Sequence, residues 1–429
     1  MKRLLIVSPH FPPVNAPDMQ RARTLLPHLS AHGWEARVLA VDPRDVDAPR
    51  DDGLALGLPS DVRVDFCRAW PLRLTRRIGL RTLGWRAWRA LDRRGAEIIR
   101  DWRPDMVLFT TTQYLLTTLG PRWRRQYGTP YAVDLQDPWV TDFYARPGSP
   151  RPPGGWKYRL ARMLAAKLEP RVFRQASGFV SVSPSYLEEL ANRYAWFKNK
   201  PAITIPFGMD AAEFEQAVKT SAPAFQREPG CLHLVSVGAV GEIMAPAVRA
   251  LCRELQALRM RSPETLGRLR VHFIGTSYAP VDRARPSVSP LAAAHGLEDV
   301  IREDTRRVPW AVAQATMRAG DGLIILTNGA AGYTPSKLAG CFLADRPSLL
   351  VAAADSGVAR LNEELGLGLR LDPLQAGAST LEAFLQETGD PDAPWRRRRR
   401  DDRFANQHTA QARSRELLQF LDTLLLKPN

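Results

Sequence analysis

LLIVSPHFPPVNAPDMQRARTLLPHLSAHGWEARVLAV, residues 4–41, is the stretch on which the fold turns. Leu4–Ser8 is an apolar run of strand length that stops at Pro9. Met19–His32 places Ala22, Leu25, Leu26 and Leu29 on one helical face, with Pro27 inside it set against an unbroken helix. Gly33 ends that helix, and Glu35–Val41 reads as the next strand. Strand, helix and strand in this order form the βαβ unit of a parallel sheet covered on both faces. The rhythm continues through strands expected at Val62–Phe66, Met106–Thr110, Tyr131–Asp134, Phe179–Ser183 and Ala202–Ile205. After a polar stretch near 215–230 it restarts, with strands at Leu232–Val237, Leu269–Ile274, Gly322–Leu326 and Ser348–Val351. Two sheet domains are therefore expected, at 1–205 and 206–402, followed by a helical segment at 403–429. Ala145–Gly155 and Thr276–Pro290 read as mobile loops.

The chain has 429 residues, enough for two or three domains, and 24% of them are charged. Four cysteines without a C-x-x-C pair argue against a zinc or redox motif and fit a reducing cytoplasm. No apolar run reaches the roughly 18 residues of a membrane span. The net charge of +15 is uneven: residues 1–205 hold 33 Lys and Arg against 19 Asp and Glu, leaving 27 against 26 for the remainder. Such a basic half suits nucleic acid, an anionic membrane surface or a phosphate-bearing substrate. No nucleic-acid-binding motif accompanies it, so nucleic acid is not expected. Arg68–Arg103 concentrates eleven Arg among three acids, with Trp85, Trp88, Leu91, Ile98 and Trp102 at helical spacing.

Walker, H-E-x-x-H, G-x-S-x-G and G-x-G-x-x-G motifs are absent. Asp45-Val46-Asp47 and Asp390-Pro391-Asp392 have the D-x-D form that can hold a divalent cation, but both lie in charged loop contexts, and no metal site is expected. His10, in the loop after the first strand, is placed to orient a hydroxyl or take its proton. Asp137, just past another strand end, is placed at the same crevice as a candidate base. Gly238 and Gly241 follow Leu232–Val237 and allow a close backbone approach to a ligand. In Tyr333-Thr334-Pro335-Ser336-Lys337, Thr334 suits an N-cap and Pro335 the first helical position, which with Lys337 would make an anion site.

Taken in order, these pieces resemble the bacterial glycosyltransferases of family four and their close relatives, over nearly the whole chain. Phe11-Pro12-Pro13 with Arg21 and His32-Gly33-Trp34-Glu35 looks like that family's first unit, and Arg103-Pro104-Asp105 like its strand entry. Val133–Trp139 is similar to "ADFRDPW", with Gln136 where Arg is usual. Ile205–Asp210 is similar to "IPNGFD", one residue shorter. Tyr333–Leu338, continuing to Arg346-Pro347, is similar to "YIPSKLFEYLAAGRP". The resemblance implies an α/β chain of GT-B fold: two Rossmann-like domains with parallel sheets facing across a cleft, and a C-terminal helix crossing back to the first domain. It also implies an acceptor in the first domain and a nucleotide-sugar donor in the second, bound by Gly238, Gly241, Tyr333, Thr334, Ser336 and Lys337. Two glutamates usual in the family, eight positions apart, are here Gly332 and Gly340. Gly238–Val248 also lacks the Arg and Lys usual beside the diphosphate.

The expected function is transfer of a sugar from a nucleotide-diphosphate sugar to a hydroxyl of a growing, lipid-linked glycan in cell-surface polysaccharide synthesis. Asp137 and His10 are the expected catalytic residues, and no cofactor or metal is expected beyond the nucleotide-sugar substrate. Arg73, Arg76, Arg77 and Arg81 are expected to meet the anionic acceptor and the cytoplasmic membrane face, where the protein would sit peripherally. The alternative is a non-catalytic GT-B relative that binds a glycan or a protein, motivated by the two glycines.

Overall fold

A computed structural model describes all residues except 78, 142–143, 145–154, 278, 280–281, 328–336, 375–377, 391 and 427–429. The chain forms two compact units, Met1–Gly208 with Ala410–Asn429, and Met209–Thr409.

The first unit is built on seven strands: β1 (Lys2–Val7), β2 (Trp34–Val41), β3 (Arg63–Cys67), β4 (Met106–Thr110), β5 (Tyr131–Leu135), β6 (Gly178–Ser181) and β7 (Ala202–Thr204). Their order is β3-β2-β1-β4-β5-β6-β7, and every pair is parallel. The run Leu4–Val7 is apolar at every position because both faces of β1 are covered. Leu5 and Val7 join Phe109, Trp123 and Tyr131 in one core. Leu4 and Ile6 join Ala22, Leu25 and Leu26 in the other.

Three helices of this unit matter for the site: α1 (Gln20–Leu25), α2 (Leu83–Trp102) and α3 (Trp156–Gln175). The α-helix after β1 is shorter than its apolar pattern, giving way at Leu26–His28 to a 3₁₀ turn that contains Pro27. Gly33, with φ 73°, closes the segment before β2.

The second unit has six strands: β8 (Leu232–Val237), β9 (Leu269–Ile274), β10 (Ile301–Asp304), β11 (Gly322–Leu326), β12 (Ser348–Val351) and β13 (Gly368–Leu371). Their order is β10-β9-β8-β11-β12-β13, again all parallel. Helices α4 (Ala245–Arg261), α5 (Trp310–Ala319) and α6 (Leu338–Leu343) are among those that cover it.

In both sheets the strand order reverses about the first strand, between β1 and β4 and between β8 and β11. In doubly wound sheets the crevice outside the carboxyl ends of such strands binds ligands.

The last segment is two helices rather than one. Asp401–Gln407 belongs to the second unit, where Phe404 stacks on Phe342 with ring centroids 4.1 Å apart. The return to the first unit therefore falls after Thr409, later than residue 402. Helix α7 (Ala410–Leu426) then buries Leu417, Leu418, Leu421 and Leu424 in the core that holds Leu25, Leu26 and Trp34. Asp422 on that helix accepts hydrogen bonds from Trp34 Nε1 at 3.0 Å and Lys2 Nζ at 2.6 Å. The first crossover lies after Gly208, beyond residue 205, because Arg21 holds the Ile205 and Pro206 carbonyls to the first unit at 2.5 and 3.4 Å.

The end of the Thr276–Pro290 segment is tied down. Glu303, on β10, accepts hydrogen bonds from the Thr276 hydroxyl at 2.6 Å and from the Ser287, Val288 and Ser289 amides at 3.0, 3.0 and 2.7 Å. Most of Ala145–Gly155 lies outside the described residues.

Candidate functional site

The crevice between β1 and β4 is closed by a buried carboxylate that sequence reading passed over. Asp18 is 3% exposed. Its Oδ1 shares a hydrogen bond of 2.7 Å with His10 Nδ1, and its Oδ2 accepts from the Thr112 amide at 3.1 Å and the Thr111 and Thr112 hydroxyls at 3.3 and 3.2 Å. Burial alone would raise its pKa. The His10 ring and the Thr112 donors outweigh burial and hold it below the ordinary carboxylate value. Thus the loop after β1 is joined to the loop after β4, and His10 is oriented by Asp18.

A second buried carboxylate, Asp134 at the end of β5, pairs with Arg21 of α1, with both contacts at 3.3 Å. Gln136, which stands where the related family has Arg, donates to Asp134 Oδ2 at 2.8 Å and to the Asp18 carbonyl at 3.1 Å. A neutral amide fits a position already facing Arg21's partner.

Asp137 stands one residue further on, reached by solvent but recessed. It lines a cavity of about 370 Å³ with Trp85, Gln113, Tyr114, Trp139 and Leu164. Tyr114 stacks on Trp139 at 5.6 Å, and its hydroxyl donates to the Asp137 carbonyl. Desolvation in this recess, with the negative charge of Asp18 added, pushes the Asp137 pKa up to about 6. A carboxylate tuned there can accept a proton near neutral pH. The cavity's aromatic walls suit the flat, weakly polar faces of a sugar ring. Helix α3 supplies Ala161, Leu164, Ala165 and Leu168 to the wall. Glu169 on the same helix accepts from the Val140 amide at 3.0 Å, fixing the helix to the segment that carries Asp137.

At the reversal point of the second sheet, Gly238 follows β8 with φ 106°, a conformation other residues rarely adopt. Its amide donates to the Ile274 carbonyl at 2.8 Å. Lys337, just before α6, donates from Nζ to the Val237 carbonyl at 2.9 Å. A Cβ on Gly238 would lie 3.9 Å from that Nζ. The structure therefore brings Gly238 and Lys337 together across 99 residues of sequence. Desolvation lowers the Lys337 pKa, so a nearby anion would restore what burial removes from the charged form. Gly241 has φ −82°, open to any residue, and nothing crowds it. Tyr333, Thr334 and Ser336 lie outside the described residues, as does Gly332. Gly340 is buried in α6, where a Cβ would meet Gln314 Oε1 at 2.9 Å and Met317 Cε at 3.1 Å.

Arg73, Arg76, Arg77 and Arg81 are all exposed, but they precede the long helix instead of forming one of its faces. Helix α2 begins only at Leu83, and it buries Leu83, Ala87, Leu91 and Ile98. Trp85 falls off that stripe and is 44% exposed. Several arginines of the segment are committed elsewhere: Arg94 binds Asp65 at 2.6 Å, Arg86 binds the Trp70 carbonyl at 2.7 Å, and Arg68 binds Asp45 at 2.7 Å. The last contact also engages one acid of the first D-x-D triplet.

Residues 20–208 match the family model of the glycosyl transferase 4-like domain. No curated protein matches the chain in sequence. Among solved structures, a glycosyltransferase from Rickettsia africae ESF-5 is 13% identical with a TM-score of 0.61, covering 100% of this chain and 99% of that one. Anabaena HepE in complex with UDP-glucose is 12% identical with a TM-score of 0.63, covering 99% and 100%. The α,α-trehalose 6-phosphate synthase from Burkholderia multivorans is 14% identical with a TM-score of 0.63, covering 99% of each chain. At these identities the likeness is one of fold. Together with the two all-parallel sheets, it gives this chain the GT-B fold.

Proposed function

We propose that this chain, GT-B in fold and matching the glycosyl transferase 4-like domain over residues 20–208, transfers a sugar from a nucleotide-diphosphate sugar to a hydroxyl of a glycan. The observation that carries the reading is the Asp137 cavity: ligand-sized, aromatic-walled, with a carboxylate whose pKa is about 6, beside the point where the first sheet reverses. In this reading the acceptor occupies that cavity, Asp137 takes the proton of the attacking hydroxyl, and His10, held by Asp18, orients the acceptor. The donor diphosphate lies at Gly238 and Lys337, where backbone approach and a cation stabilise the leaving group. HepE, solved with UDP-glucose, makes uridine-diphosphate sugars the first donors to try.

The acceptor is proposed to be lipid-linked and the protein peripheral on the cytoplasmic membrane face, in cell-surface polysaccharide synthesis. The +14 excess of residues 1–205 supports attraction to an anionic surface. Among the described residues no helix is long and apolar enough to cross a membrane. Transfer is further proposed to need no divalent metal, since Asp45 is already engaged by Arg68 and the Ala69 amide.

The test is a panel of nucleotide sugars with lipid-linked acceptors, with and without EDTA, on wild type and Asp137→Asn. Transfer by wild type that survives EDTA and falls at least a hundredfold in the variant is expected. A second reading, a non-catalytic GT-B relative, is favoured by Gly340, whose buried position holds no side chain where the related family has a glutamate. Neither transfer from nor hydrolysis of any nucleotide sugar in the panel would select it.

A further inference from the structure

The two halves of helix α3 have different surroundings. From Ala165 onward the helix belongs to the core, burying Ala165, Glu169, Val172 and Phe173. The half before it leaves Trp156, Leu160, Met163 and Leu164 exposed by 70, 53, 53 and 36%. These four fall at i, i+4, i+7 and i+8, a single stripe about a quarter-turn wide. They are four of the thirteen large exposed hydrophobic residues among the described residues, gathered within nine positions. A contiguous apolar stripe of this kind on a water-facing helix marks a contact surface.

The charge around the stripe is of one sign. Lys157 and Arg159 flank it, and Lys167 continues it one turn further on. The whole helix carries six Lys and Arg (157, 159, 162, 167, 171 and 174) against one acid, Glu169. Glu169 is buried and accepts from Arg193 and the Tyr194 hydroxyl, each at 3.0 Å. Its charge does not offset the exposed cations. An apolar stripe with Trp at one end and cations along its edges is the pattern of a helix lying in the interface of an anionic bilayer.

We propose that Trp156–Lys167 docks the protein on anionic lipid, with Trp156, Leu160 and Met163 entering the headgroup region and Lys157, Arg159 and Lys167 meeting lipid phosphates. This deepens the proposed function by naming the membrane contact, and it rests on the peripheral part of that reading alone. It also moves the contact from the arginines before α2 to α3. The consequence for the site follows from Leu164, which belongs both to the stripe and to the Asp137 cavity wall. Docking through α3 sets the cavity mouth at the lipid surface, where a lipid-linked hydroxyl would arrive. Glu169 keeps that geometry fixed through its bond to Val140.

The experiment is co-sedimentation of the full chain with phosphatidylcholine vesicles and with phosphatidylcholine–phosphatidylglycerol vesicles, at low and high salt, with no donor or acceptor present. Wild type should prefer the anionic vesicles and lose most, not all, of its binding at high salt. The triple variant Trp156→Ser, Leu160→Ser, Met163→Ser should bind the anionic vesicles at least tenfold more weakly with an unchanged Tm. The quadruple variant Arg73→Ser, Arg76→Ser, Arg77→Ser, Arg81→Ser should lose less than the triple. Three results would overturn the proposal: no wild-type preference for anionic lipid, triple-variant binding equal to wild type, or a wild-type dimer in solution that the triple variant dissolves. An inactive protein that still docks through α3 would sink the transfer reading and leave this one standing.

Discussion

Asp137 is charged against its surroundings, and this has opposite consequences for rate and for stability. Its pKa of about 6 means the native state holds a proton that the unfolded chain, near the ordinary 3.8, has already released. Between those values the native state binds more protons, so stability falls as pH rises through the window and stays lower above it. Asp137→Asn removes a charge that the recess only partly solvates. The variant should therefore melt above wild type at pH 7.5, with the gain vanishing near pH 4, as scanning calorimetry at the two pH values would show. Equal Tm values at pH 7.5 would contradict a strained carboxylate. Transfer by wild type should rise with pH through about 6 and level off, while the variant's residual rate stays flat there. At Gly340 the expectation is one of size. The atoms that an added Cβ would meet are the tips of Gln314, Met317 and Met209, which can swing aside. Gly340→Ala gains about 1 kcal/mol of helix propensity and should lie within about 1 kcal/mol of wild type in urea unfolding. Gly340→Glu must find room for a longer, charged group at a buried position and should cost about 1–3 kcal/mol or more. A glutamate variant as stable as the alanine variant would show that the site was open all along.

Two element ends meet in the second unit where the donor diphosphate is proposed to lie. Gly238 lets the backbone after β8 turn with φ 106°, and Lys337 reaches across from the start of α6 to the Val237 carbonyl. Lys337→Ala should weaken nucleoside-diphosphate binding by about 1–3 kcal/mol, the value of a charge-assisted hydrogen bond, in isothermal titration. Affinity unchanged by the substitution would move the diphosphate elsewhere. The elements themselves were legible to different degrees for a physical reason. Strands such as Leu4–Val7 and Gly322–Leu326 are covered on both faces and read as unbroken apolar runs. β10 and β13, the two edges of the second sheet, carry no such run. β10 spells Ile-Arg-Glu-Asp, and its glutamate is spent on holding a loop. Of the candidate site, His10, Asp137, Gly238 and Lys337 stand out in the sequence because each lies beside a strand end or in a recognisable motif. Asp18 does not, because its partners Thr111 and Thr112 lie more than 90 residues away and only the β1–β4 pairing brings them close. The stripe on α3 was hidden differently: its spacing is that of an ordinary buried helix face, and only the exposure of its first half sets it apart.

At the scale of the whole chain, the second unit is an insertion. The chain leaves the first unit after Gly208 and re-enters it at Ala410, and Met209 and Thr409 form a parallel β-bridge. Its two ends therefore lie side by side, as they do in domains that tolerate excision. The fragment 209–409 retains its whole six-stranded sheet and both of its cores. It should be soluble, unfold cooperatively in urea, and bind nucleotide as the full chain does. The first unit is not separable in the same way. Cutting at 208 removes α7, and with it Leu417, Leu418, Leu421 and Leu424, all under 7% exposed and packed among Leu25, Leu26 and Trp34. Each such leucine stabilises the fold by about 1.5–3 kcal/mol, so their joint loss is comparable to the entire stability of a typical domain. Removal of Asp422 also leaves the buried Trp34 Nε1 without its acceptor. Fragment 1–208 should therefore fail to give a cooperative transition, whereas 1–208 joined by a short flexible linker to 410–429 should recover one. Circular dichroism through a urea series on the three fragments decides the matter. A cooperative 1–208, or a linked fragment no better folded than 1–208 alone, would show that α7 is an accessory and not a structural part of the first domain.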